Sequence, residues 1–231
     1  MVGPKLARCF SAASARDKLE GVKRTKQSPR LRTERALERL LDARNEHPER
    51  LGTIDAQIRA NFERTCAIFV LDMCGFSRLT IRHGIIHYLA MIRRMQHCVL
   101  PLVETCGGTT VKTEADNVFA VFPSVPNALR CARLVQRQLR HQNESLPEDW
   151  DVHVGIGIGY GPVLMVGAHD LYGAEMNLAS KLGEDLAGAG DVLLTEAAHA
   201  RAGTRAQFSR HRKRVSGLTL THYRVTGSGP R

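Results

Sequence analysis

Two aspartates carry the first chemical signal in the chain. Asp72 closes the apolar run Ala67-Ile68-Phe69-Val70-Leu71 and is followed by the short turn Cys74-Gly75-Phe76-Ser77. Asp116 lies between Thr109-Thr110-Val111-Lys112-Thr113 and Val118-Phe119-Ala120-Val121-Phe122. Two carboxylates at adjacent strand ends can share hard divalent cations, and cations held in this way grip phosphates. An Asp in such a place is more often a turn or cap residue, so its surroundings must decide between the two readings.

The elements that would position these acids follow from periodicity. Leu37, Leu40 and Leu41 recur at helical spacing among charges from Arg32 to Glu49, and a second short helix is predicted over Thr53 to Arg64. A buried strand runs from Cys66 to Leu71, and a helix follows the Gly75 turn. A longer helix is predicted from Ile85 to Glu104, with Ile86, Leu89, Ile92, Met95 and Val99 on one face. Gly107-Gly108 ends it, and a hairpin follows with Asp116-Asn117 in its turn. A helix over Pro123 to Gln142 comes next. The strand Val152 to Ile158 is expected to turn through Gly159-Tyr160-Gly161-Pro162 into the strand Val163 to Val166. A helix over Met176 to Leu186, a strand over Asp191 to Thr195 and two weaker strands near 208–215 and 221–225 close the chain. Helices alternating with mostly antiparallel strands imply an α+β sheet covered on one side.

Composition narrows the class. With 43% hydrophobic and 24% charged residues in 231, the chain reads as a soluble domain plus an extension, and no apolar run is long enough to span a bilayer. The net charge of +10 is concentrated at the ends. Residues 1–65 hold 15 basic and 9 acidic side chains, residues 66–200 hold 10 and 14, and residues 201–231 hold 8 and none. An acidic middle argues against a nucleic-acid-binding domain, so no nucleic acid is expected. The six cysteines form no C-x-x-C pair, which argues against structural zinc and for reduced thiols in a cytoplasmic protein. Residues 1–30 read as a basic flexible tail, 31–65 as a helical leader and 66–228 as the domain proper. An organelle transit peptide is the less favoured reading of residues 1–16.

The glycines at 155, 157, 159 and 161 offer a loose G-x-G-x-x-G match. A dinucleotide motif must join a strand to a helix, whereas this one joins strand to strand, so it is read as a tight strand turn with close packing. More specific are four blocks in order: Phe69-Val70-Leu71-Asp72-Met73-Cys74-Gly75-Phe76-Ser77, Val111-Lys112-Thr113-Glu114-Ala115-Asp116, Gly157-Ile158-Gly159-Tyr160-Gly161-Pro162-Val163, and Asp170-Leu171-Tyr172-Gly173-Ala174-Glu175-Met176-Asn177-Leu178-Ala179-Ser180-Lys181. Together they resemble the class III nucleotidyl cyclase catalytic domain over about residues 66–226, the last block being similar to that family's D-x-x-G-x-x-x-N-x-A-S-R segment.

The resemblance implies a ferredoxin-like (βαβ-βαβ), mostly antiparallel sheet with helices packed on it. It implies that Asp72 and Asp116, with the Met73 carbonyl, hold two Mg2+ or Mn2+ ions per site. The turn of Cys74, Gly75, Phe76 and Ser77 would receive the triphosphate on backbone N–H groups. Lys112 and Asp170 would read the base, Asn177 would orient the ribose and α-phosphate, and Lys181 would face the transition state. A donor beside an acceptor complements N1 and N6 of adenine, so ATP is favoured over GTP. The implied reaction is 3′-hydroxyl attack on the α-phosphate with loss of pyrophosphate, in a head-to-tail homodimer with two sites at the interface.

Three departures qualify this. Lys181 stands where the family usually has an arginine and lacks the planar fork. Glu114-Ala115 replaces an apolar-Gly pair, restricting the turn and adding a third acid. Ser216 occupies the place of a phosphate-binding lysine, for which Lys213 or Arg214 are the nearby substitutes. Low activity follows from these departures, and the alternative reading is a degenerate homologue that binds nucleotide and metal as a regulatory or dimerisation module.

Overall fold

The computed structural model describes residues 33–167, 169–204, 206–215 and 217–228. The basic tail expected over 1–30 and the departure at Ser216 lie outside the described residues. The chain runs α1 (Glu34–Glu46), α2 (Leu51–Phe62), β1 (Glu63–Met73), α3 (Phe76–His83), α4 (Ile85–Thr105), β2 (Thr109–Glu114), β3 (Asn117–Phe122) and α5 (Val125–Asn143). It continues through β4 (Val154–Val166), β5 (Asp170–Tyr172), α6 (Ala174–Ser180), a π-helical turn (Lys181–Leu186), β6 (Val192–Leu194), α7 (Glu196–His199), β7 (Ala206–Val215) and β8 (Leu218–Ser228).

The sheet order is β2-β3-β1-β4-β6-β8-β7, with β5 folded back onto β4. All the strand pairs are antiparallel except β4 with β6. The first four long strands and the helices between them, in the order β2-β3-β1-β4, form the expected ferredoxin-like unit. β1 is central because its residues are apolar on both sides: Ala67 to Leu71 are fully buried, paired with β3 on one edge and β4 on the other.

Strand alternation sends Ala67, Phe69, Leu71 and Met73 to one face, where α4 and α5 cover them with Met91, Met95, Val99, Ala128, Ala132 and Val135. Ile68 and Val70 point to the other face, under Met176 and Ala179 of α6 and Leu171 of β5. The sheet is thus covered on two faces, not one. The leader joins it as well, with Leu37, Ile54, Ile58 and Phe62 packed around Val166 of β4.

The expected break in β4 is absent. Val154–Val166 is one continuous strand, paired with β1 from Val154 to Leu164, and the expected turn at Gly159-Tyr160-Gly161-Pro162 does not form. Val154, Ile156 and Ile158 enter the α4/α5 core, while Gly155, Gly157 and Gly159 face the helices opposite. A Cβ on Gly157 would lie 2.1 Å from the Ala179 carbonyl oxygen and 2.6 Å from the Gly183 nitrogen. The alternate glycines are a groove for helix backbone, and the expectation of close packing there holds.

The buried face of α4 also differs from the expected one. Its buried residues are Tyr88, Met91, Ile92, Met95, Cys98, Val99 and Val103, whereas Ile86 and Leu89 are 82% and 55% exposed. Ile86 precedes Met95 by nine residues, about two and a half turns, and so falls on the opposite side of the helix.

Candidate active site

Asp72 stands at the C-terminal end of β1, on the same face as Ile68 and Val70, and Asp116 in the β2–β3 turn beside it. The register Leu71↔Val118 between β1 and β3 brings that turn to the end of β1. Burial, then the charge of Asp116 and that of Glu184, push the Asp72 carboxyl up to about 7, with a smaller push from Asp185 and opposition from a Met73 backbone hydrogen bond. Tyr88 donates its hydroxyl to Asp116 Oδ2 from the first turn of α4. Glu184 and Asp185 reach the pair from the π-helical turn, which is held against β1 because Gly183 lies on the Val70 carbonyl.

Ala115, the residue before Asp116, has φ 48°, a left-handed conformation that costs a non-glycine residue about 1–2 kcal/mol. The restriction expected from replacing Gly here is therefore stored as local strain. Glu114 places its Oε2 3.1 Å from Lys112 Nζ, and its charge also acts on Glu184. Lys112 and Glu114 share a face of β2 because they are two residues apart.

Lys112 also meets Asp170 Oδ1 at 3.1 Å and lies over the Phe119 ring, 5.0 Å from its centre. Burial works against the ammonium, but Glu114 and Asp170 outweigh it and hold its pKa above the usual range. Asp170 additionally accepts from the Leu171 amide at 2.9 Å and the Tyr172 hydroxyl at 2.7 Å. These bonds and Lys112 keep its carboxyl below the ordinary value despite burial.

The turn residues divide. The Cys74 N–H is already donated to the His153 carbonyl at 2.8 Å. Gly75, at φ 90°, turns the chain into α3, whose first amides belong to Phe76 and Ser77. Asn177 is exposed on α6 and makes no side-chain hydrogen bond among the described residues. Lys181, one turn later, lies 3.9 Å from Asp185. Lys213 and Arg214 are exposed on β7.

The structure therefore brings Asp72 and Asp116 into one group and Lys112 and Asp170 into another. The sequence reading missed Tyr88, Glu184, Asp185 and Tyr172 as neighbours of these groups. Only Tyr172 left a local signal, since a residue two after Asp170 in a strand shares its side.

The family model described as "Adenylate and Guanylate cyclase catalytic domain" matches residues 58–225. The chain belongs to the adenylate and guanylate cyclase catalytic domain family. The cyclase domain is 32% identical over 136 residues to a putative adenylate cyclase 3 of Rhizobium meliloti, covering 59% of this chain and 23% of that protein. It is 30% identical over 120 residues to an adenylate cyclase of Streptomyces coelicolor, covering 52% of this chain and 30% of that protein. The chain thus spans under a third of the length of these curated relatives. Among solved structures it is similar to an adenylate/guanylate cyclase/hydrolase from Silicibacter pomeroyi, with TM-score 0.62 and 26% identity over 73% of this chain and 98% of that one. No helix among the described residues is long and apolar enough to cross a membrane.

Proposed function

We propose that this cyclase domain converts ATP to cyclic AMP and pyrophosphate. The observation that carries the choice of ATP is the Lys112–Asp170 contact at 3.1 Å, a donor beside an acceptor. Adenine presents the acceptor N1 beside the N6 donor, and a buried partner left unpaired is what rejects the wrong base.

Asp72 and Asp116 suit a divalent cation. They are two neighbouring acids, one partly buried and with a raised pKa, and no cluster of three or more His, Cys, Asp or Glu that could hold a metal occurs among the described residues. Two carboxylates completed by substrate phosphates is a ligand set typical of Mg2+. Mg2+ or Mn2+, two per site, would supply a lowered pKa for the 3′-hydroxyl and neutralisation of the leaving pyrophosphate. The chain's own part is positioning. Asp72 and Asp116, with the Met73 carbonyl, would hold the cations. Gly75, Phe76 and Ser77 offer amides to the phosphates at the start of α3, and Cys74 contributes through the shape of the turn. Asn177 orients the ribose, and Lys181 places a point charge at the α-phosphate.

A homodimer with sites at its interface fits the open placement of these groups. Cavities of about 430 Å³ beside Arg130, Arg133 and Arg137 and about 440 Å³ beside Arg44 and Asp55 include none of the predicted site residues. The proposed setting is cytoplasmic.

The test is purified chain with ATP or GTP and Mg2+ or Mn2+, with cyclic nucleotide quantified. Cyclic AMP is expected at a low rate, abolished by Asp72→Ala and raised severalfold by Lys181→Arg through the restored fork. ATP binding without product under either metal would overturn the enzyme reading and favour a regulatory nucleotide-binding module.

A further inference from the structure

Lys112 is contacted by two carboxylates, not one. Asp170 reaches it from β5 and Glu114 from β2, each at 3.1 Å, so a single donor stands between acceptors from two different elements. An ammonium has three donors, and these contacts use two, leaving one for a ligand. Two carboxylate oxygens offer about four acceptor positions. Leu171 N, the Tyr172 hydroxyl and Lys112 take three of those on Asp170, which leaves room for one further donor. Among the described residues the ion pair of Glu114 is with Lys112 through Oε2, and the side chain is 62% exposed, so its second oxygen is open to a ligand.

The purine edges can be read against this set. Adenine shows a donor at position 6 and an acceptor at position 1, and needs one acceptor and one donor, as Asp170 and Lys112 provide. Guanine shows an acceptor at position 6 and donors at N1 and N2. It needs one donor and an acceptor able to take two N–H groups, as Lys112 and a free-ended carboxylate provide.

We propose that Glu114 gives this site a second purine-reading pair, with guanine nucleotides bound through Lys112 and Glu114 and adenine nucleotides through Asp170 and Lys112. This rests on the cyclase reading above. It makes Glu114 a specificity-determining residue: Asp170 favours ATP, Glu114 admits GTP, and Lys112 serves both. Glu114 occupies a position where the resemblance leads one to expect an apolar residue, so the property belongs to this chain's own sequence.

Binding without turnover isolates the effect. 3′-Deoxy-ATP and 3′-deoxy-GTP lack the attacking hydroxyl and cannot cyclise, so their dissociation constants can be measured on the full chain by calorimetry with Mg2+. Removing one hydrogen-bonding partner is expected to move the GTP-to-ATP ratio of dissociation constants by about tenfold or more. Glu114→Leu raises that ratio and Asp170→Leu lowers it. Glu114→Gln, which keeps one acceptor oxygen, raises it less than Glu114→Leu. A purely structural role for Glu114 would weaken both nucleotides by one factor and leave the ratio in place, which overturns the inference. Equal shifts for the Gln and Leu variants overturn it too. Failure of the wild-type chain to bind either nucleotide overturns the cyclase reading itself, and this inference with it.

Discussion

Asp72 is the residue at which chemistry and stability meet. Its folded pKa of about 7 lies above the ordinary value of 3.8, because burial and the Asp116 charge disfavour ionisation. The folded chain therefore holds a proton on Asp72 that the unfolded chain releases between these values. The neutral carboxyl's contribution to stability is fully present below about 4 and is lost as pH rises towards about 7. A divalent cation reverses the sign, since it binds the ionised pair and stabilises more as protons leave. Thermal unfolding at pH 5.5 and 8, with and without Mn2+, measures both effects. The metal-free melting temperature should fall across this range, and the metal-induced rise should be larger at pH 8. Asp72→Asn should remove both dependences. Equal metal shifts at the two pH values in both proteins would remove Asp72 from the metal site.

At the scale of elements, the glycine stripe of β4 sets the distance between sheet and helix, and so the placement of Glu184, Asp185 and Lys181. Gly157→Ala would put a Cβ 2.1 Å from the Ala179 carbonyl oxygen, a backbone atom that no rotamer change can move away. Overpacking of this kind costs about 1–3 kcal/mol or more. The variant should unfold at clearly lower denaturant in a urea titration, whereas Gly190→Ala, with nothing within 4 Å but φ 84°, should show only the smaller cost of backbone strain. This stripe also marks where sequence was legible and where it was not. The α+β alternation and the strand-end positions of Asp72 and Asp116 are readable because apolar runs and turn residues report local structure directly, whereas the ferredoxin-like order follows only from the family resemblance. The continuity of β4 is not readable, since four alternate glycines look the same in a turn as under a docked helix, and only the helix decides. The phase of α4 is hidden from sequence for a similar reason. Ile86 and Leu89 are apolar without being core, and composition cannot tell a buried stripe from an exposed one.

For the whole molecule, the question is whether one chain can hold a complete site. Lys112 and Asp116 lie on one strand and its turn, four residues apart, or about 13 Å along a β backbone. Asn177 is presented to solvent, without a side-chain partner among the described residues. Both features suit a protomer that gives its acids to one site and its Lys112, Asp170 and Asn177 to the other. Two inactive variants then test the arrangement. Asp72→Ala destroys the metal half, and Lys112→Ala destroys the base-reading half. If each site draws its halves from different chains, a mixed dimer has one site carrying both lesions and one carrying neither. Random 1:1 mixing makes half the dimers mixed, and each has one intact site of two, so activity should return to about a quarter of the wild-type level. Sites contained within single chains would give no recovery at any mixing ratio. Cyclic nucleotide formation, followed while the ratio of the two variants is varied at fixed total protein, separates the outcomes: shared sites give a curve peaking at equal amounts, and self-contained sites give a flat line at the level of the single variants.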